Sequence, residues 1–266
     1  MDALEILILL IFGVLFGIIS SMAGIGGGAL HMSLMILLLE ISADNARDTS
    51  TFIILFISGA ALISYYKQGK INLKLSLTFV SFALMGSIAS TIFFILLPID
   101  NYVLKVIIAS VVLLSGINMI RKAVMSYKAE RNNNKIQDLE FSFETFDFKA
   151  NLKKAIPLFF IAGFVAHLAG IGGGMLFVPV LSILFQIPIH YTTAISASMI
   201  FFIGIYNTAS RMIIGEIQYL VGIIIAIGAI IGSLLGTRLS IKIPKNYLQF
   251  GVAAVLMLLA VRLYFA

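Results

Sequence analysis

The sequence predicts an all-α polytopic membrane protein with two inverted-topology repeats, each a glycine-broken helical hairpin followed by three longer transmembrane helices. Three observations carry that expectation: an apolar composition, a 146-residue register that recurs at five places, and a loop-charge bias that reverses between the halves.

Of the 266 residues, 61% are hydrophobic and 11% charged, with a mean hydropathy of +1.09. A water-facing surface needs about a quarter of its residues charged. The stretches 75–97, 102–120, 219–237 and 246–265 approach or exceed the roughly 20 apolar residues that cross a bilayer core. Runs of this length do not fit the alternation of a membrane barrel, whereas a helix satisfies its own backbone hydrogen bonds in lipid. The first segment, 4–19, carries acidic Asp2 and Glu5 where a leader needs basic residues, and it is expected to stay in the mature protein. The chain has no cysteine, which excludes disulfides and cysteine-held metals or clusters. Net charge is +6, yet the one sizeable polar stretch, 121–154, holds eight basic and five acidic residues. That balance reads as a membrane-proximal cytoplasmic loop and not as a nucleic-acid surface.

Gly24-Ile25-Gly26-Gly27-Gly28 recurs as Gly170-Ile171-Gly172-Gly173-Gly174, 146 residues later. The same offset pairs Gly69-Lys70-Ile71-Asn72 with Gly215-Glu216-Ile217-Gln218, Gly86-Ser87 with Gly232-Ser233, Ser50 with Ser196, and Pro98 with Pro244. One register at five places argues for duplication and divergence. The expected order is a first membrane repeat over 1–121, a cytoplasmic linker over 122–154 and a second repeat over 155–266. Its helical segments are 4–21, 29–39, 50–66, 75–97 and 102–121, then 156–169, 175–187, 193–210, 219–238 and 246–265. At 1.5 Å per residue, the segment after each glycine run reaches about half the bilayer core, so each reads as one arm of a re-entrant hairpin.

Loop charges set the orientation. Lys67, Lys70 and Lys74 place the 67–74 connection inside, and Asp100 leaves the 98–101 connection outside. In the second half, Arg211 balances Glu216 in the 211–218 connection, while Arg238, Lys242 and Lys245 place the 238–245 connection inside. With the linker also inside, the second half is inverted relative to the first and both termini lie outside. Arg262 near the end dissents mildly. Within the linker, Arg131-Asn132-Asn133-Asn134-Lys135 reads as loop, and Phe141, Phe143, Phe146 and Phe148 read as a tether or a short element on the bilayer surface.

The glycine runs have two readings: close helix packing at a sharp bend, or a cradle whose amides and helix N-termini face an anion. Their position at breaks in hydrophobic segments, in both halves, favours the cradle. They are not nucleotide-binding loops, because no Gly-Lys-Ser/Thr and no strand accompany them. The candidate substrate residues are Gly24, Gly26, Gly27 and Gly28 with His31, Thr49 and Ser50 in the first half. In the second half they are His167, Gly170, Gly172, Gly173 and Gly174 with Ser196, Ser198 and Asn207. Hydroxyl and amide protons of this kind can replace anion hydration, although serine and threonine in membrane helices often bond their own backbone. His31 and His167 each divide between an internally bonded residue and a donor near the substrate, and His190 is expected in a short loop. Two histidines without acidic or cysteine companions make no metal site, and no cofactor is expected. All twelve acidic residues fall in loops, the linker or segment ends, which speaks against a cation path. Arg47 and Arg211, at segment ends, read as interfacial anchors or as an entrance that attracts anions.

The chain resembles the TauE/SafE family over almost its whole length. The residues that carry the resemblance are the doubled glycine motif, Gly69-Lys70-Ile71 and Gly215-Glu216-Ile217, and above all Gly170-Ile171-Gly172-Gly173-Gly174-Met175-Leu176-Phe177-Val178-Pro179, followed by Ala194-Ile195-Ser196-Ala197-Ser198. In the first copy Ser33 replaces the proline, and Ala46-Arg47-Asp48-Thr49-Ser50 matches the family's Ala-x-x-Thr-Ser. The resemblance implies a permease of the cytoplasmic (inner) membrane for a small anion, especially a sulfur oxyanion such as sulfite or an organosulfonate. Its expected partners are that anion and membrane lipid, with no nucleic acid; the coupling ion and a homo-oligomeric state stay open. An anion channel is the alternative, ahead of a membrane enzyme or receptor.

Overall fold

The computed structural model describes residues 2–97, 100–131, 143, 146, 148–240, 253–254, 257 and 260–261. Its helices are α1 (Ala3–Ala23), α2 (Gly28–Leu38), α3 (Ala43–Lys67), α4 (Leu73–Leu96), α5 (Asn101–Arg131), α6 (Lys149–Ala169), α7 (Gly174–Pro179), α8 (Ile189–Ile214) and α9 (Tyr219–Leu239), with a π-helical turn over Val180–Leu184 after α7. Six of the described helices contain stretches long and apolar enough to cross a membrane. Their outward faces agree: on α9, Leu220, Ile223, Ile227, Ile231 and Leu234 recur at helical spacing and are exposed. Such a stripe is compatible with lipid and not with water.

Local chemistry explains the boundaries. α1 begins in a reciprocal cap between Asp2 and Glu5. The Ser42 side chain caps α3 by accepting from the Asn45 amide at 3.4 Å, and Asn72 caps α4 by accepting from the Leu75 amide at 3.1 Å. The cap at Ser42 starts α3 at Ala43, seven residues before the expected start at 50, and so brings Asp44, Arg47 and Asp48 into the helix. α8 likewise starts at Ile189 and ends at Ile214, which takes His190 and Arg211 out of connections and into the helix. Pro179 has no amide hydrogen to give to the helix ladder, and the chain relaxes into the π-helical turn beyond it. Ser33, at the matching position, keeps its amide and α2 stays regular to Leu38.

The halves interlock. Gly13 and Gly17 of α1 pack on Ile225 and Ala229 of α9, while Gly228, Gly232 and Gly236 of α9 pack on Leu10, Val14 and Ile18 of α1. The related pair α4 and α6 meets in the same way, with Gly86 on Phe160 and Gly163 on Ala83. Small residues let the backbones approach, which is what drives helix association where both partners are equally apolar. Between them stand α3 and α8, in contact through Asp48 and Arg211, Thr51 and Thr208, Leu55 and Gly204, and Gly59 and Phe201. The rising numbers on one helix meet falling numbers on the other, so α3 and α8 are antiparallel. They are also equivalents in the 146-residue register.

α5 packs Leu104, Ile108, Ala109 and Val112 into one core cluster with Ala253 and Ala260 of the last segment. α5 runs on to Arg131 and α6 begins at Lys149, so helix enters both ends of the stretch read as linker. Phe143, Phe146 and Phe148 lie against the core of α4, α6 and α8, with Phe148 at 6.1 Å from Phe79 and Phe146 at 6.4 Å from Phe185, between ring centroids. They are half-buried on the protein core. The Asn132-Asn133-Asn134-Lys135 part of the linker cluster, Phe141, the Pro98 and Pro244 pair, Lys242, Lys245, Arg262 and most of 246–265 lie outside the described residues.

Candidate functional site

The glycine runs are the turns between α1 and α2 and between α6 and α7. Gly24, Gly26 and Gly27 have φ of 67°, 84° and 75°, and Gly170, Gly172 and Gly173 have 66°, 79° and 79°. A side chain in this left-handed region costs roughly 1–2 kcal/mol, which explains glycine at these places in both copies. Gly28 and Gly174 answer a different need. A Cβ on Gly28 would lie 2.6 Å from the Gly170 carbonyl oxygen, and one on Gly174 would collide with the Gly24 carbonyl. The two turns are therefore packed on each other at the centre of the molecule.

Their contacts repeat reciprocally. Ser50 Oγ donates to the Gly170 carbonyl at 2.7 Å, and Ser196 Oγ donates to the Gly24 carbonyl at 2.8 Å. Ile54 lies against Gly172 and Ile200 against Gly26. Arg47 packs on Gly170 as Thr193 packs on Gly24. The serines thus bind the turns, and their hydroxyl protons are committed to carbonyls.

The other expected residues divide into groups. His31 Nδ1 is 2.8 Å from the Gly27 carbonyl and its ring stands edge-on to Phe16, while Nε2 is buried without a hydrogen-bond partner among the described residues. The buried hydroxyls of Ser33 and Ser198 are in the same condition; such atoms suit a water or a ligand. His167 is fully engaged: Nδ1 faces Asn207 Oδ1 at 3.1 Å, Nε2 faces Thr91 Oγ1 at 3.0 Å, and Tyr206 donates its hydroxyl to the same Thr91 oxygen at 3.0 Å. That network ties α4, α6 and α8 together. Thr49 is turned away from the glycine turns and accepts from the Gln218 amide at 2.9 Å. Among the described residues no group of acidic, histidine or cysteine side chains is arranged to hold a metal.

The largest departure from expectation is a charged cluster. Arg47, Asp48 and Arg211 are 4%, 1% and 2% exposed, so the arginines are no interfacial anchors and Asp48 is not at a helix margin. Asp48 Oδ1 is 2.9 Å from Arg47 Nε and 3.3 Å from Arg211 Nε, and its Oδ2 accepts from the Glu216 amide at 3.2 Å. Asp44 Oδ1 is 3.2 Å from Arg47 Nη1. Arg211 also donates from Nη2 to the His167 carbonyl at 2.9 Å. Both guanidiniums lie over the Phe94 ring, at 4.5 and 5.1 Å from its centroid. The cluster borders a cavity of about 510 Å³ that opens between the start of α3, the end of α4 and the α8–α9 connection. Charges below solvent reach cost several kcal/mol each unless paired, and here each arginine is shared between carboxylate and ring. The Ser42 cap and Arg47 beside Asp48 were the available sequence signals; the pairing to Arg211 had none, because the partners sit in different halves.

The matching end of the molecule has no charge in these places. The register puts Thr193 for Arg47, Ala194 for Asp48, Tyr65 for Arg211 and Ser240 for Phe94. Tyr65 donates its hydroxyl to the Ser21 carbonyl at 2.9 Å, as Arg211 donates to the His167 carbonyl. Ala61, Tyr65, Ile71, Ala194 and Ala197 close this end as an apolar cluster.

A family model described as "Sulfite exporter TauE/SafE" matches residues 9–263. The chain is similar to the "Probable membrane transporter protein YunE" of Bacillus subtilis (strain 168), at 26% identity over 270 residues and 98% of each chain. A probable membrane transporter protein of Methanocaldococcus jannaschii is 28% identical over 263 residues, 94% of this chain and 91% of the relative. The "Probable membrane transporter protein YdhB" of Bacillus subtilis (strain 168) is 24% identical over 250 residues, 94% of each chain. No solved structure matches significantly.

Proposed function

From the premise that this chain belongs to the TauE/SafE sulfite exporter family, we propose that it is a secondary transporter of a small anion, of the sulfur oxyanion or organosulfonate class, in the cytoplasmic membrane. The observation that carries the reading is the reciprocal closure of the two glycine turns between antiparallel α3 and α8. Repeats exchanged by reversal of helix direction give a protein two related conformations, each open on one face. The basic 67–74 connection, with Lys67, Lys70 and Lys74, supports an inverted topology in which the Tyr65 end faces inside and the Arg47–Arg211 end outside. The glycine turns, with Ser50, Ser196, Ser198 and the histidines, form the centre of the path, and the turns part to admit the anion to their amides. No covalent chemistry is required.

The test is a panel of sulfite, sulfate, thiosulfate, an organic sulfonate and a small carboxylate in proteoliposomes with controlled pH and sodium gradients. Saturable uptake with countertransport is expected. High conductance with neither saturation nor countertransport would place the protein among channels, and chemical change of an anion without its movement would make it an enzyme.

A further inference from the structure

The cavity beside the arginines contains a problem of charge. It is lined by two guanidiniums, Arg47 and Arg211, and by three carboxylates, Asp44, Asp48 and Glu216. An anion entering such a space unaided meets a net negative wall. Of the three carboxylates, Asp48 holds both arginines through the same oxygen, and it is the most deeply buried of the three. It occupies the position in which an oxyanion would be received: between two guanidiniums that lie over the ring of Phe94, at the edge of a space large enough for a small ligand.

Resting on the transporter reading, we propose that Arg47 and Arg211 are the docking site for the small oxyanion and that Asp48 is a resident counter-anion which the substrate replaces. In the empty site Asp48 keeps the guanidiniums neutralised and the α3–α8 contact shut. The arriving oxyanion takes over both guanidiniums, and the released carboxylate keeps the Glu216 amide as its partner. The charged groups around Asp48 come from several elements: Asp44 and Arg47 on α3, Arg211 on α8 and Glu216 in the α8–α9 connection. Asp100 before α5 acts electrostatically on Asp44. His167 on α6 presents its carbonyl to the cluster, its ring nitrogens being turned to Thr91 and Asn207. Replacement also breaks the Asp48 tie to Arg211 across the two halves, so docking and opening of this end are one event.

The experiment measures binding of sulfate and of methanesulfonate to the purified full chain at neutral pH. Asp48→Asn should bind about tenfold or more tightly than wild type, since the competing charge is gone. Arg47→Gln should weaken binding by about thirtyfold or more. If Arg47→Gln fails to fold, Asp48→Asn decides by itself. A wild type that transports sulfite in the panel yet binds neither probe, or whose affinity Asp48→Asn leaves unchanged, overturns this proposal and leaves the transporter standing. A wild type that carries no anion of the panel overturns the transporter reading instead.

Discussion

The two ends of the α3–α8 pair occupy equivalent positions in the repeat and are closed by unlike chemistry. Arg211 at one end and Tyr65 at the other are equivalents, and each donates to an equivalent carbonyl, that of His167 or of Ser21. Around Arg211 the neighbours are Arg47, Asp48 and Phe94; around Tyr65 they are Ala194 and Ser240, with Thr193 in the register of Arg47. The backbone acceptors have been kept while the donors and their surroundings diverged. Each end is thus closed by its own chemistry on a shared backbone frame.

Perturbing the ends should separate them, and perturbing the centre should not. The largest effect is expected from Arg211→Ala, which leaves Asp48 buried with one guanidinium fewer; a loss of about 3–5 kcal/mol should appear as a much lower unfolding midpoint in detergent. Next come Gly28→Ala and Gly174→Ala, each forcing a Cβ onto the opposing turn. About 1–3 kcal/mol is expected for each, and a large inequality between them in thermal denaturation would break the reciprocity of the centre. Ser50→Ala and Ser196→Ala remove one donor apiece from a buried carbonyl, for a similar loss of about 1–3 kcal/mol each, checked on the same midpoint scale. The smallest effect belongs to Tyr65→Phe, about 0.5–1.5 kcal/mol, since the ring stays packed and only a neutral hydrogen bond goes. A Tyr65→Phe protein as damaged as Arg211→Ala would show that charge is not what distinguishes the ends.

The repeat was legible in the sequence because its markers are positions where backbone geometry admits only glycine; Gly27 and Gly173 sit at positive φ in both halves and resist divergence. The short arms were legible from length, α2 being 11 residues. The charged end was hidden by a reasonable rule, that acids and bases near an apolar run mark its margin. Ser42 placed the helix start earlier and carried Asp44, Arg47 and Asp48 inside. The commitment of Ser50 and Ser196 to carbonyls across the centre was equally out of reach, since their partners lie in the opposite half. Composition could say that polar groups were buried, and only the fold could say with whom.

The interlocking of α1 with α9 has a consequence for synthesis. α1 is made well before its principal partner α9, with α2 to α8 synthesised in between. Until then its glycine-bearing face must be covered by lipid or by the insertion machinery, and the first half has no complete partner set of its own. A break between α5 and α6 is therefore expected to do less harm than the loss of α1 or α9. Two co-expressed fragments would carry every interlocking surface into the membrane together, whereas either alone would wait there for a helix that never arrives.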